Sequence, residues 1–261
     1  TQSVMPGVQA AHTSRSRPQL WLVGLVALSL ASASVPLVYL GVRASTVPFT
    51  QILDILSRPQ VGMLVVNTIG LSLSVALSAV IMGTTIAAIL SRLQVGGNRI
   101  WLLVSALPLA VPSYLASYGW LVVSPGLDGF APSYALLTAV TVPYVILPVA
   151  AALRGTSADA ESVARTLGLG PIEAFRKVTW PRVRPAAIAG GLLVFLYSLS
   201  DFGLVSMLRF PTLTWGVQQA YASSFDRSQA AILALLLVVI ALVVVSAERS
   251  ARGFVTKSSS V

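Results

Sequence analysis

The chain has no cysteine, a single histidine and only eight acidic residues among 261. Without cysteine there is neither a disulfide nor a thiolate metal site. His12 lies in a polar N-terminal stretch, so a histidine metal centre or a Ser/His/Asp triad has nothing to build on. No Gly-x-x-x-x-Gly-Lys-Ser/Thr segment occurs, which excludes ATP hydrolysis by a phosphate-binding loop of that kind. Charge is scarce too. Only 10% of residues are charged, against about a quarter in a soluble domain. The net charge of +9 is confined to short intervals between apolar runs, a distribution that argues against nucleic acid as a partner. No catalytic or metal-binding residues are expected in this chain, and no cofactor of its own.

What the chain has in place of charge is length of apolar sequence. Hydrophobic residues make up 56% of it and the mean hydropathy is +0.84. Runs long enough to cross a bilayer fall at 20–42, 61–90, 100–123, 133–153, 185–207 and 229–247. These predict an all-α polytopic membrane protein with six transmembrane helices in contact with lipid. The second run exceeds one crossing and predicts a tilted or protruding helix. With six spans, Arg15 and Arg17, Arg92 and Arg99, the 154–184 loop and Arg249, Arg252 and Lys257 share one side. Arg43, Arg58, Arg209 and Arg227 fall on the other. The positive-inside rule places the richer side, with both termini, in the cytoplasm. Residues 1–19 and 248–261 are then cytoplasmic tails flanking a membrane domain at 20–247. Arg15, Arg17 and Ala31-Ser32-Ala33 resemble a cleavable secretory signal. The apolar run continues past that point to Val42, which suits an uncleaved helix better, and either reading leaves the basic loop where it is. Pro36, Pro108, Pro112, Pro143 and Pro148 predict kinks within the spans. Gly70, Ser72, Ser74, Ala76, Ser78 and Ala79 allow close helix packing.

The 154–184 loop concentrates charge: Arg154, Arg165, Arg176, Lys177, Arg182 and Arg184, with Asp159, Glu161 and Glu173. Residues 158–166 can form a short helix capped by Ser157, with Asp159 and Glu161 in its first turn. Gly168 and Gly170 break it, and Pro171 suits the first position of a second helix. Ile172, Ala174, Phe175 and Val178 give that helix an apolar side, and Pro181 is expected to end it before Pro185 opens the fifth span. Two short amphipathic helices joined by a glycine bend make a rigid knob, suited to a membrane surface or to a partner's groove.

At these residues the sequence resembles the permease subunits of ABC importers that work with a substrate-binding protein. Their cytoplasmic signature is Glu-Ala-Ala, three residues, Gly, nine residues, then Ile-x-Leu-Pro. Here the frame falls on Ser162, Val163 and Ala164, then Gly168, then Val178, Trp180 and Pro181. Ala164, Gly168 and Pro181 match, and Glu161 stands one position before the usual acid. The resemblance implies the type I importer fold, with coupling helices over about 157–178 docked on a cytoplasmic ATPase. Asp159, Glu161, Ala164, Arg165, Gly168, Gly170, Pro171, Phe175, Arg176 and Pro181 would carry that contact. It further implies two ATPase copies holding ATP and Mg, a second permease half, and a periplasmic or lipid-anchored binding protein. Ser200-Asp201-Phe202-Gly203, the run from Leu107 to Tyr114, and Ser224-Phe225-Asp226-Arg227 look like the iron(III) permeases, although sulfate, thiamine and polyamine permeases share related segments. Many iron-type permeases carry two six-span halves. This sequence carries one, so a half-permease or one half of a longer product is expected.

Asp201 is an ionisable residue in an apolar run and hence a functional candidate. Counted from Pro185 it lies about 24 Å along the fifth span, near its outer end. With Phe202 and Gly203 it is a candidate for the translocation path. It could also be an interfacial residue paired with Arg209. Trp215 and Tyr221 suit aromatic anchoring at the interface. An ion-coupled secondary transporter is the alternative class, but no acid lies near a span centre. An intramembrane enzyme lacks a base or ligand cluster.

Overall fold

The computed structural model describes residues 20–92, 98–154, 163–223 and 227–258, and every regular element among them is helical. Helix α1 (Leu20–Ser45) is followed by a short amphipathic helix α2 (Phe49–Ser57) and by α3 (Pro59–Arg92). Then come α4 (Asn98–Ala106), a 3₁₀ turn (Leu107–Ala110) and α5 (Ser113–Val123). Helices α6 (Phe130–Thr141) and α7 (Pro143–Arg154) form one span, because Pro143 takes the first position of the second piece, where its missing N–H is tolerated. Helix α8 runs from Pro171 to Ser200. It is followed by α9 (Gly203–Met207), α10 (Leu213–Ser223) and α11 (Ser228–Ser258). The expected C-terminal tail therefore continues α11 as far as Ser258.

Among the described residues five helices are long and apolar enough to cross a membrane, and the α4–α5 pair makes a sixth if it counts as one span. That pair corrects the expectation of a single helix at 100–123. It bends by 85° at its break. Pro108 and Pro112 each lack a backbone N–H, and the 3₁₀ turn that contains Pro108, followed by extended Val111, turns the chain sharply.

The fifth span is also corrected. It ends at Ser200 rather than at 207, and Pro181 does not end the helix that begins at Pro171. Between Pro171–Ala174 and Trp180–Ser200 the helix widens into a π turn at Phe175–Thr179, where the Trp180 N–H bonds to the Phe175 carbonyl. Pro181 brings no N–H for the Lys177 carbonyl, and the wide turn lets the helix pass through this position without a break. The buried positions record the extra residue. Ala174, Thr179, Val183 and Ala187 face inward, stepping by five across the π turn and by four after it. Thr179 thus takes the inward place expected of Val178, which is half-buried, and Ile172 is 77% exposed.

The core is formed by α3, α7 and α8, with Leu71, Val75 and Ala79, Val145, Ile146 and Val149, and Val183 and Val194 in mutual contact. In lipid this association rests on tight packing rather than on the hydrophobic effect. Gly190 allows it: a Cβ there would lie 2.7 Å from the Tyr144 carbonyl oxygen, inside α7. A smaller apolar cluster joins α3, α10 and α11 through Val61, Leu64, Leu213 and Leu233. Helix α1 packs against α11 and exposes most of its length.

Candidate coupling segment and the aspartate at the far end of its helix

The charged segment is described from 163 onward. Asp159, Glu161 and the cap at Ser157 lie outside the described residues, as do Phe225 and Asp226. A helical turn at 163–166 closes with Leu169 N–H bonded to the Ala164 carbonyl and Gly168 N–H to that of Arg165, at 3.2 and 3.1 Å. This is the Schellman arrangement, and it requires a left-handed residue at its turn. Gly168 supplies one with φ +91°. Ala164 is buried beneath the turn, whereas Arg165 is exposed. The chain then extends at Gly170 (φ −64°, ψ 160°) and enters α8 with Pro171 at its first position. Ala174 N–H closes the first turn onto the Gly170 carbonyl at 2.9 Å.

The resulting knob is basic and apolar at once. Val163, Leu167 and Ile172 are exposed, Leu167 to 80%. Arg165 and Arg176 are exposed beside them, and Lys177 reaches Glu173 at 2.7 Å in an exposed i,i+4 pair. A groove of about 610 Å³ follows Gly170, Pro171, Ile172, Glu173, Arg176 and Lys177. A second, smaller space of about 260 Å³ separates Pro171, Ile172 and Phe175 from Thr84, Thr85, Ala88 and Ile89 of α3. Phe175 is half-buried at the start of the π turn, and Pro181 is exposed one residue beyond Trp180 in α8.

Thirty residues on, the same helix ends at Asp201. Its carboxylate is buried, 8% exposed. The Ser113 hydroxyl donates to Oδ2 at 2.5 Å and the Leu204 N–H to Oδ1 at 3.0 Å. Asp201 thus caps the start of α9 and ties it to the first residue of α5, beyond the 85° bend. The Asp201 carbonyl accepts from Thr214 Oγ1 at 2.8 Å, and Thr214 meets Thr212 at 2.9 Å. Thr68 of α3 accepts the Leu213 N–H at 2.8 Å, and Asn67 donates to the Pro211 carbonyl at 2.9 Å. The pairing of Asp201 with Arg209 is not what the structure contains: Arg209 is 3.7 Å from Asp128, in an exposed pair. Of its neighbours, Phe202 is exposed and Gly203 lies against α5, where a Cβ would sit 3.0 Å from that of Tyr114.

Residues 61–252 match the model of the binding-protein-dependent transport system inner membrane component family. The chain belongs to that family. An Fe(3+)-transport system permease protein of Haemophilus influenzae is 31% identical to this inner membrane component over 91% of its length and 47% of the relative's, so the chain spans about half of that protein. A molybdenum transport system permease protein of Mycobacterium tuberculosis is 28% identical over 86% of this chain and 91% of its own. Proteins named for sulfate and putrescine transport match as well. Among solved structures, a crystal structure of an amino acid ABC transporter matches with a TM-score of 0.60, covering 77% of this chain and 95% of that one at 17% identity, a likeness of fold. The family is one of membrane-embedded transport subunits, and the helical architecture agrees with it.

Ser113, Thr212, Thr214, Thr68 and Asn67 were not singled out as site residues from the sequence. Ser113 lay within a run noted for its resemblance, but nothing local pointed it at a carboxylate 88 positions away.

Proposed function

We propose that the chain is one membrane-embedded half of an ATP-driven importer, with α8 as the rod that carries motion from a cytoplasmic ATPase to the opposite side of the membrane. The observation that supports this reading is the continuity of α8. Its 30 residues span about 45 Å, some 15 Å more than the hydrocarbon core. The surplus at its N-terminal end is the basic, apolar-tipped knob, and its C-terminal end is the Asp201 cap. A displacement of the knob reaches the contacts among α5, α9 and α10 without crossing a loop.

In this reading the knob lies in the cytoplasm with both termini, as the charge distribution favours. Val163, Leu167 and Ile172 enter a groove of the ATPase, while Arg165 and Arg176 meet acidic or polar groups around it. Two ATPase copies carrying ATP and Mg, a second permease half and a periplasmic or lipid-anchored binding protein complete the machine. Asp201 holds the outer end of the path together by fixing α9 to α5, with Phe202 facing the path. The substrate we favour is iron(III), which is what the 31% identical relative is named for. Sulfate, molybdenum and putrescine, named in other relatives, are the second choices.

Uptake into proteoliposomes containing the complex tests this. Iron(III) presented on the binding protein is expected to enter only with ATP on the ATPase side. Uptake that persists without ATP and follows an ion gradient would overturn the importer reading. ATP-dependent uptake of sulfate, molybdate or putrescine in place of iron would replace the substrate alone.

A further inference from the structure

We infer that the groove between α4 and α7 binds an anionic phospholipid of the cytoplasmic leaflet, with Arg154 on the phosphate and an acyl chain in the groove. The inference uses the orientation that the charge distribution favours and is independent of the ATPase and substrate proposed above.

Helix α4 is loosely held. It is nine residues long, the 85° bend detaches it from α5, and Ile100, Trp101, Leu103 and Val104 are exposed. It packs on α3 and α7 but does not close on α7. A groove of about 530 Å³ runs between Leu102, Leu103 and Ala106 on one wall and Leu147, Ala150 and Ala151 on the other. These six side chains are aliphatic, so none of them can hydrogen-bond a water. An apolar gap at membrane depth forfeits contacts on both of its walls, and hydrocarbon is the filling that restores them.

The polarity of the groove is ordered along the membrane normal. Arg154 lines one end of it and is the last residue of the span that begins at Phe130. Leu147 lies about 10 Å deeper along α7. A guanidinium at the interface above an aliphatic wall of that length matches a phospholipid, whose phosphate lies above its chains. Trp101, exposed near the start of α4, is an aromatic anchor of the kind found at that interface. Among the described residues Arg154 has no ion-pair partner, and a phosphate accepts from the guanidinium fork in two parallel hydrogen bonds. Charge also selects lipid over a second chain of this composition as the occupant. Lys and Arg outnumber Asp and Glu here by 17 to 8, and Arg154 lies on the basic side. The cytoplasmic leaflet carries anionic lipid, and one basic residue near its surface raises affinity about fivefold.

Photocrosslinking tests the site. The full chain, with the subunits that co-purify with it, is placed in phosphatidylcholine nanodiscs containing a trace of photoactivatable lipid. That lipid carries a diazirine in its acyl chain and either a phosphoglycerol or a phosphocholine head. Attachment is mapped by peptide mass spectrometry, with α1, which stands in lipid, as the reference. Relative to α1, peptides from α4 and α7 should carry phosphatidylglycerol about fivefold more than phosphatidylcholine. Arg154→Gln should remove that preference and Arg154→Lys should retain it, with labelling of α1 unchanged in both. Arg182→Gln removes an exposed basic residue of α8 that does not line the groove, and should leave the preference intact. Equal labelling by the two lipids in the parent chain overturns the site. A preference that survives Arg154→Gln, or that falls as far with Arg182→Gln, belongs to the general basic surface and overturns it too. Labelled α1 beside unlabelled α4 and α7 shows that protein covers the groove, and the lipid site then falls.

Discussion

The two ends of α8 are built on opposite principles. The knob end is held by backbone geometry, with Gly168 in a left-handed turn and Pro171 at a helix start, and its side chains face outward. The Asp201 end is held by side-chain chemistry, with one buried carboxylate joining α5, α8 and α9. A surface that must meet a partner keeps its side chains free and takes its shape from the main chain. A junction that must hold three helices together buries a polar group and satisfies it. The difference implies that substitutions at the far end act first on stability, and those at the knob act first on coupling.

The largest effect should come from Asp201→Ala. It leaves the Ser113 hydroxyl and the Leu204 N–H buried without their acceptor, a loss of about 3 kcal/mol that a fall in the detergent melting temperature would register. Asp201→Asn sharpens the point, because an amide can still accept from Leu204 and donate to Ser113. Uptake close to that of the parent would identify Asp201 as a structural tie, and loss of uptake with an unchanged melting temperature would show that its charge acts on the substrate. Ser113→Ala should cost less, about 1.5 to 2 kcal/mol, and a double-mutant cycle with Asp201→Asn should reveal coupling between them. At the knob, Gly168→Ala carries a strain of about 1 kcal/mol for a left-handed alanine. Global melting should barely change, while ATP-driven uptake falls several-fold. A melting loss as large as that of Asp201→Ala would erase the contrast between the ends. Smallest of all, Glu173→Gln breaks an exposed i,i+4 pair worth about 0.3 to 0.5 kcal/mol, and neither melting nor uptake should change beyond measurement error.

The same contrast explains what could be read from the sequence. Gly168 and Pro171 declare themselves because a helix stop and a helix start are local events, each decided by one residue's backbone preferences. The apolar spans were legible for a similar reason, since a bilayer requires a continuous run. Asp201 was conspicuous as an acid in an apolar stretch, but its partner was not, because contacts between distant helices leave no periodic trace. The bend of the third span was only half visible. Pro108 and Pro112 announced kinks, yet an 85° turn depends on the 3₁₀ segment at Leu107–Ala110 as well. The π turn was hidden by the sequence itself: Val178 fits an apolar row spaced by four, and only the inward position of Thr179 reveals the added residue.

Helix α1 has its packing surface on α11, which follows it by some two hundred residues in the sequence. The remainder of α1 is exposed, and the core of α3, α7 and α8 assembles without it. During biogenesis α1 must therefore stay in the bilayer as a solitary helix while some two hundred residues follow it (about 10 to 40 s at usual translation rates). Its mostly unbroken apolar surface suits that interval, because a helix waiting in lipid cannot leave polar groups uncovered. Arrival of α11 then ends the wait, so α1 joins the bundle only after the core of α3, α7 and α8 has had time to assemble.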